Sequence, residues 1–202
     1  MRKNNIIFRS FLPQDAAALA YTLRAEDRRE LVTSHPGQEP ASLIAAFARA
    51  SRCAFSLLYC GKVAAVCGVV APCLMGTRAQ VWLLTGEEVE KIPKSFFRIM
   101  RGLVRYFLEI YPELFVFTDS RYKRALRFAK HLGARSTGSL SVGKNISFLE
   151  FIFRRNCYVI TTNYSDRHIF MHDGRYHHGE GPQYSCLINW CCMSGSYPHS
   201  FD

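Results

Sequence analysis

PKSFFRIMRGLVRYFLEIYPELFVFTD, residues 93–119, predicts a long helix followed at once by a buried strand. Apolar side chains recur at helical spacing between Pro93, where a helix can begin, and Pro112, where it must stop. The strand that follows, residues 114–118, is continuously apolar, which is typical of the middle of a sheet covered on both faces. A helix that returns the chain to a further strand in this way indicates an α/β fold.

The segments on either side of this stretch complete a mixed sheet. Spacing, β-rich runs and glycine or proline breaks predict a strand, three helices and three strands before it, at residues 6–11, 16–23, 24–31, 40–50, 54–59, 63–70 and 79–84. The helix at 24–31 is highly charged and is expected to be exposed. After the stretch come a helix at 121–132 and strands at 139–142 and 147–153. This order predicts one domain over residues 1–155, a mixed central β-sheet flanked by helices on both faces.

Residues 156–202 differ in composition from the rest. They contain two of the 26 Lys and Arg residues and four of the 16 Asp and Glu residues, so all of the basic excess lies in residues 1–155. Aromatic, His and Cys residues are concentrated in this extension, which we interpret as a packing or interaction arm. Two residue pairs approximate zinc-ligand spacing, but glycine-rich chain separates them, so zinc is the weaker alternative: His168 with His172, and Cys186 with Cys191. No apolar run reaches the ~18 residues of a membrane span.

Short motifs carry a family resemblance. The run from Arg124 to Phe128, followed by Gly133, resembles the helix near the end of the GNAT acetyltransferase fold. Residues 23–31, 81–86 and 118–127 are similar to the internal virion protein A family of short-tailed phages, whose members carry a GNAT-like domain. The resemblance covers roughly residues 5–140. It implies residence in the virion, or in the host cytoplasm during assembly, with other phage virion proteins as partners.

The turn after the fourth strand departs from that resemblance. Active GNAT enzymes are patterned Gln/Arg-x-x-Gly-x-Gly/Ala there, and backbone N–H groups hold the coenzyme A pyrophosphate. Residues 85–93 of this chain read TGEEVEKIP, in which Thr85 and Gly86 are followed by Glu87 and Glu88. Each carboxylate facing a phosphate at ~4 Å costs up to ~4 kcal/mol at an effective dielectric of ~20. This degenerate turn predicts that no cofactor binds.

The general acid of the resembled enzymes is missing as well. The acid is often a Tyr on the helix named above, and the alignment places Ala129 at its position. Tyr122 lies seven residues earlier, about two helical turns or ~10 Å away. We therefore expect no catalytic residue, and a non-enzymatic virion-associated protein, internal or ejected, that uses a degenerate GNAT-like domain as an assembly module. The alternative is a diverged acetyl-CoA-dependent N-acetyltransferase.

Basic residues form a candidate interaction face. Arg98, Arg101 and Arg105 follow one another at i, i+3 and i+7, and Arg124 and Arg127 lie on the next helix. One interpretation is a phosphate-binding or partner-docking face, including non-specific DNA contact. The other is the solvated side that amphipathic helices normally show. The sequence leaves both open, and it carries no signal for the oligomeric state.

Overall fold

The computed structural model of the chain describes residues 5–71, 76–142 and 146–155. The strands and helices of these residues follow the predicted order, with one added 3₁₀ helix: β1 Ile6–Ser10, α1 Pro13–Thr22, α2 Ala25–Ser34, α3 Pro40–Ala50, β2 Cys53–Tyr59, β3 Lys62–Val70, β4 Arg78–Thr85, the 3₁₀ helix Glu87–Lys91, α4 Pro93–Ile110, β5 Glu113–Asp119, α5 Lys123–His131, β6 Arg135–Val142 and β7 Ile146–Arg154. The extension 156–202 lies outside the described residues. Its role as an arm and the domain division at residue 155 therefore stay predictions.

The strands form one seven-stranded sheet in the order β1-β2-β3-β4-β5-β7-β6. Neighbours run antiparallel except β4 and β5, which are parallel because α4 carries the chain back across the sheet. Consecutive residues of a strand point to opposite faces, and in β3 Val66 joins the core with Ile44 of α3. On the other face Phe55, opposite Cys67 in register, lies 6.4 Å from Phe107 of α4. The predicted mixed sheet with helices on both faces is confirmed.

Local signals set the ends of several elements as predicted. Pro93 occupies the first turn of α4, where its missing N–H leaves no hydrogen bond unmade. Gly133 follows α5 with a φ of 99°, the left-handed conformation that closes many helices. The β2–β3 hairpin turns through Cys60 and Gly61 with φ values of 49° and 81°. Two positive φ angles are what a type I′ turn requires, so Cys60 adopts the left-handed conformation together with Gly61.

The two parallel strands pair only at their first residues. The ladder runs from Arg78 opposite Glu113 to Gln80 opposite Phe115. Beyond it β4 continues for five residues and β5 for four without pairing to each other. Arg78 fixes the paired end, because it forms ion pairs with Glu113 at 2.9 Å and with Glu150, and lies 4.3 Å over the Phe115 ring. The strands are thus held together at one end and separate at the other, which leaves a cleft that we call the β4–β5 cleft.

The middle of β5 is less covered than the sequence predicted. Phe115, Val116 and Phe117 are half-buried rather than buried. On one face of the sheet α1 and α3 pack mainly against β3, whereas α4 contacts β5 on the other face. The continuously apolar residues of β5 belong to a strand that borders a cleft. The expectation that this strand is covered on both faces was therefore wrong.

Candidate active site

The open end of the β4–β5 cleft is bordered by the start of α2. Leu23 bridges to Gly86, and the backbone N–H of Arg24 donates to the carbonyl of Thr85 at 3.1 Å. Gly86 is needed for this approach, because a Cβ there would lie 3.0 Å from the Thr22 hydroxyl and 3.2 Å from the Thr22 carbonyl oxygen. The one glycine of the turn therefore serves helix packing, and α2 is held against the last residues of β4.

Asp27 of α2 is buried at this junction, with 6% of its surface exposed. It accepts hydrogen bonds from the Thr85 N–H at 3.2 Å, from the Thr85 hydroxyl at 2.8 Å and from the Tyr122 hydroxyl at 3.1 Å. Burial raises the pKa of Asp27, although these bonds oppose the shift. The prediction that α2 is simply an exposed charged helix was wrong, because one of its carboxylates joins the end of β4 to the residue that precedes α5.

Glu30 lies one turn further along α2 and reaches the other strand. The backbone N–H of Asp119, the last residue of β5, lies close enough to its carboxyl to favour the charged form. Burial, and repulsion from Asp27 and Asp119, raise the pKa of Glu30 to about 8. Asp119 stays ionised, since Arg121 donates to it at 2.6 Å and lowers its pKa. Glu30 is thus the group at the mouth of the cleft that exchanges a proton near neutral pH.

Tyr122 lies on the other side of the cleft from β4. It precedes α5 as the N-cap residue, with a non-helical φ of −83° and ψ of 68°, and 6% of its surface is exposed. Burial and the charge of Asp27 raise the pKa of Tyr122, so its hydroxyl keeps its proton. The sequence placed this residue inside a helix and too far from the acid position. Because α5 begins only at Lys123, the phenol instead turns into the cluster, while Ala129 is buried on α5.

The acidic turn is electrostatically different from what the sequence predicted. Glu88 lies 2.7 Å from Lys91 and 3.7 Å from Lys62. Glu90 lies 2.6 Å from Arg124 and 3.4 Å from Arg24. Four cations therefore pair with two of the three carboxylates of this turn, which weakens the repulsion of a phosphate that the sequence predicted. That the turn Thr85, Gly86, Glu87 and Glu88 is degenerate stays a prediction.

A cation that a phosphate would fit lies beside this turn, at the start of α2. The side chain of Arg24 is 10% exposed, and its buried Nη2 lies 3.4 Å from Glu90 without forming a hydrogen bond within the part of the chain that the structure describes. Buried guanidinium donors normally find an acceptor. Lys94 is exposed at the start of α4, next to the turn. Arg24, Lys94 and Arg124 are the residues that could hold the phosphates of a coenzyme here.

The other predicted sites have different outcomes. Arg98 and Arg127 are exposed and Arg101 is half-buried, each on its predicted helix, while Arg124 is engaged with Glu90. Whether they bind a partner stays a prediction at this point. Within residues 5–71, 76–142 and 146–155 no group of three His, Cys, Asp or Glu residues could hold a metal ion. The zinc candidates lie outside those ranges: His168, His172, Cys186 and Cys191. No described helix combines the length and the hydropathy of a membrane span.

Comparison with known proteins identifies the fold. No family model matches the sequence, and a search of curated proteins finds none that is similar. Among solved structures, a GNAT-family acetyltransferase from Bacillus anthracis matches at 9% identity and a TM-score of 0.57, over 75% of this chain and 96% of its own. A spermidine N-acetyltransferase from Vibrio cholerae, in complex with CoA and spermine, matches at 10% identity and 0.57, over 77% and 98%. An N-acetyltransferase from Staphylococcus aureus Mu50 matches at 11% and 0.56, over 74% and 98%.

These likenesses show the GNAT fold, and they correct the functional expectation. The expected non-enzymatic virion component is contradicted, because the structures that share the fold are acetyltransferases and none of those named above is a phage protein. The finer resemblance to phage internal virion protein A, with its virion location and partners, gains no support from the comparisons.

Proposed function

We propose that this domain is an acetyl-CoA-dependent N-acetyltransferase whose reaction takes place at the open end of the β4–β5 cleft. The observation that carries the proposal is the meeting of Asp27, Glu30 and Tyr122 where the two strands separate. In acyl transfer, a carboxyl whose pKa is about 8 can accept a proton as a general base, and a phenol that keeps its proton can donate one as a general acid. Such perturbed groups in a cleft are typical of active sites.

The roles of the chain's own residues follow from their protonation. Glu30, when ionised, takes the proton from the nitrogen of an acceptor amine, which leaves that nitrogen with a lone pair for attack. The Tyr122 hydroxyl gives a proton to the departing sulfur. Asp27 accepts hydrogen bonds from Tyr122 and Thr85 and so positions the phenol against β4. Bound acetyl-CoA would supply the acetyl group as a thioester, with Arg24, Lys94 and Arg124 as the residues that hold its phosphates.

Acetyl transfer can be tested directly with a thiol-release assay. The first acceptors to try are polyamines, since the Vibrio cholerae enzyme of the same fold holds spermine, and then simple primary amines. We expect micromolar to low-millimolar binding of acetyl-CoA by calorimetry, and release of coenzyme thiol that depends on the amine. Silence of both measurements at millimolar coenzyme, with a protein that melts cooperatively, contradicts the proposal.

Tyr122→Phe separates the role of the phenol from its packing. We expect kcat to fall about 10²-fold or more, with little change in the KM for acetyl-CoA, because the ring stays and only the proton donor is lost. Tyr21→Phe is the matched control, since Tyr21 on α1 is 89% exposed. Equal kcat values for the wild type and Tyr122→Phe would remove Tyr122 from the mechanism.

A further inference from the structure

The two faces of the sheet differ sharply in the charge of their helices. α4 and α5 together contain eight Lys and Arg residues and one acidic residue, Glu109. α1, α2 and α3 contain three Arg residues and four acidic residues. The basic excess of the domain is therefore concentrated on one helical layer, and a solvated amphipathic surface of mixed charge does not describe it.

The cations of this layer are arranged in two rows. Arg98, Arg101 and Arg105 lie on α4 on the side away from its buried stripe, with Arg98 and Arg105 about 10 Å apart along the helix. On α5, an open groove is lined by Lys123, Leu126, Arg127 and Lys130. Phe128 stacks on Phe96 at 5.2 Å, so α5 contacts the first turn of α4. We call the two rows together the basic face.

We propose that the basic face binds the sugar–phosphate backbone of double-stranded nucleic acid. Four of its six cations are arginines, whose planar guanidinium groups match phosphate oxygens in a bidentate manner. Contact with the backbone needs no base-reading element, and no sequence specificity is inferred. This function is separate from acetyl transfer and does not depend on it.

The distribution of apolar side chains favours a duplex over a protein partner. Protein interfaces use buried aromatic and aliphatic anchors, and single-stranded nucleic acids use aromatic platforms for their bases. Exposed large hydrophobic residues of the described chain lie mainly on β1, α1 and α2, and on α4 and α5 only Ile110, at the end of α4, is among them. The basic face thus offers charge without anchors or stacking surfaces, which suits a phosphate backbone.

The test is fluorescence anisotropy with a labelled 20-base-pair duplex of arbitrary sequence, over 50–200 mM salt. Arg98→Gln with Arg101→Gln removes two charges from the basic face. Arg49→Gln with Arg52→Gln removes two exposed charges from the end of α3 and the loop before β2, and is the matched control. Since each phosphate contact adds about 0.9 to the slope of log Kd against log salt, we expect the first pair to lower that slope by about 2.

The affinities of the two double variants for the duplex should change in the same way as their salt dependence. Loss of two phosphate contacts corresponds to roughly 10- to 100-fold weaker binding at low salt, and the control pair should stay within about twofold of the wild type. Both variants should keep the circular dichroism spectrum and the acetyl-transfer rate of the wild type. No duplex binding at 50 mM salt, or equal loss in the two double variants, overturns the proposal.

Two competitors distinguish a nucleic-acid duplex from other anionic ligands of the basic face. If poly-glutamate displaces the duplex as well as unlabelled duplex does at equal charge, the face is an acidic-protein surface and the nucleic-acid proposal fails. If millimolar coenzyme A displaces the duplex, the cations belong to the coenzyme site and a separate face is disproved. We expect neither competitor to displace it. These outcomes do not depend on whether the enzyme assay succeeds.

Discussion

Glu30→Gln should make the protein more stable at alkaline pH and at the same time inactive. The ordinary pKa of a glutamate is 4.5, and in the folded protein that of Glu30 is about 8. A carboxyl whose pKa rises on folding holds more protons in the native state, so its contribution is fully present below 4.5 and is lost as the pH rises through about 8. The wild type therefore loses stability between about pH 4.5 and about pH 8 on account of this residue.

The size of that loss follows from the two pKa values. The difference between 4.5 and about 8, at about 1.4 kcal/mol per pH unit, gives about 5 kcal/mol as an upper value. Glu30 is only partly buried, and water that reaches the carboxyl reduces the effect to ~2–3 kcal/mol. Glutamine has the same shape and no proton to lose, so the variant lacks this contribution to the pH dependence.

Urea unfolding at pH 6 and pH 9 measures the effect on the free energy of unfolding. About 2 of the 3.5 pH units of this loss lie above pH 6, so we expect the wild type to lose ~1–2 kcal/mol more than Glu30→Gln between the two pH values, and the exposed Glu109→Gln to behave as the wild type. In acetyl transfer, the wild-type rate should rise with pH through about 8, and Glu30→Gln should lower it about 10²- to 10⁴-fold at pH 9 and remove the rise with pH. Identical pH slopes for the wild type and Glu30→Gln would refute the reasoning.

Two predictions concern the scaffold. Asp15 is buried and accepts hydrogen bonds from Arg9 at 2.7 and 2.9 Å and from the Ser56 hydroxyl at 2.6 Å. Its pKa lies below the ordinary 3.8, because these bonds outweigh the effect of burial. Arg9→Met should therefore destabilise the fold by about 3 kcal/mol in urea at pH 7, with the difference shrinking as the pH falls below 4; an unchanged midpoint would contradict this. Gly68→Ala should cost about 1–3 kcal/mol, because its Cβ would lie 2.8 Å from the Ser51 hydroxyl and 2.9 Å from Trp82; Gly138→Ala, with open space around it, is the control.

The order of strands and helices could be predicted because its signals are local. Pro93, Pro112 and Gly133 mark ends of helices, and the apolar stripe of α4 repeats at helical spacing. Even the residues of α3, Pro40–Ala50, follow from the sequence, since a proline opens that helix and apolar residues recur at steps of three and four. Elements with such signals need no knowledge of the rest of the chain.

The site could not be predicted because its contacts are long-range. Asp27 and Tyr122 are separated by 95 positions, and Asp27 and Thr85 by 58. From composition alone residues 24–31 belong to an exposed helix, and nothing local marks Asp27 or Glu30 as the carboxyls that turn inward. The charge of the acidic turn could not be predicted for the same reason. Glu90 is neutralised by Arg24 and Arg124, which belong to two other elements of the fold.

The separation of β4 and β5 explains why a titratable group stands at the site. Where the strands stop pairing, their last backbone N–H groups need other acceptors, because a buried N–H without one is costly. Two carboxyls one turn apart on α2 lie at these strand ends: Asp27 accepts a hydrogen bond from the N–H of Thr85 at the end of β4, and Glu30 lies close to the N–H of Asp119 at the end of β5. Placing two acids so close in a buried position favours the proton-bound form of one of them, and Glu30 carries that proton. The backbone geometry that opens the cleft therefore also generates, in the same place, the base that the proposed acyl transfer uses.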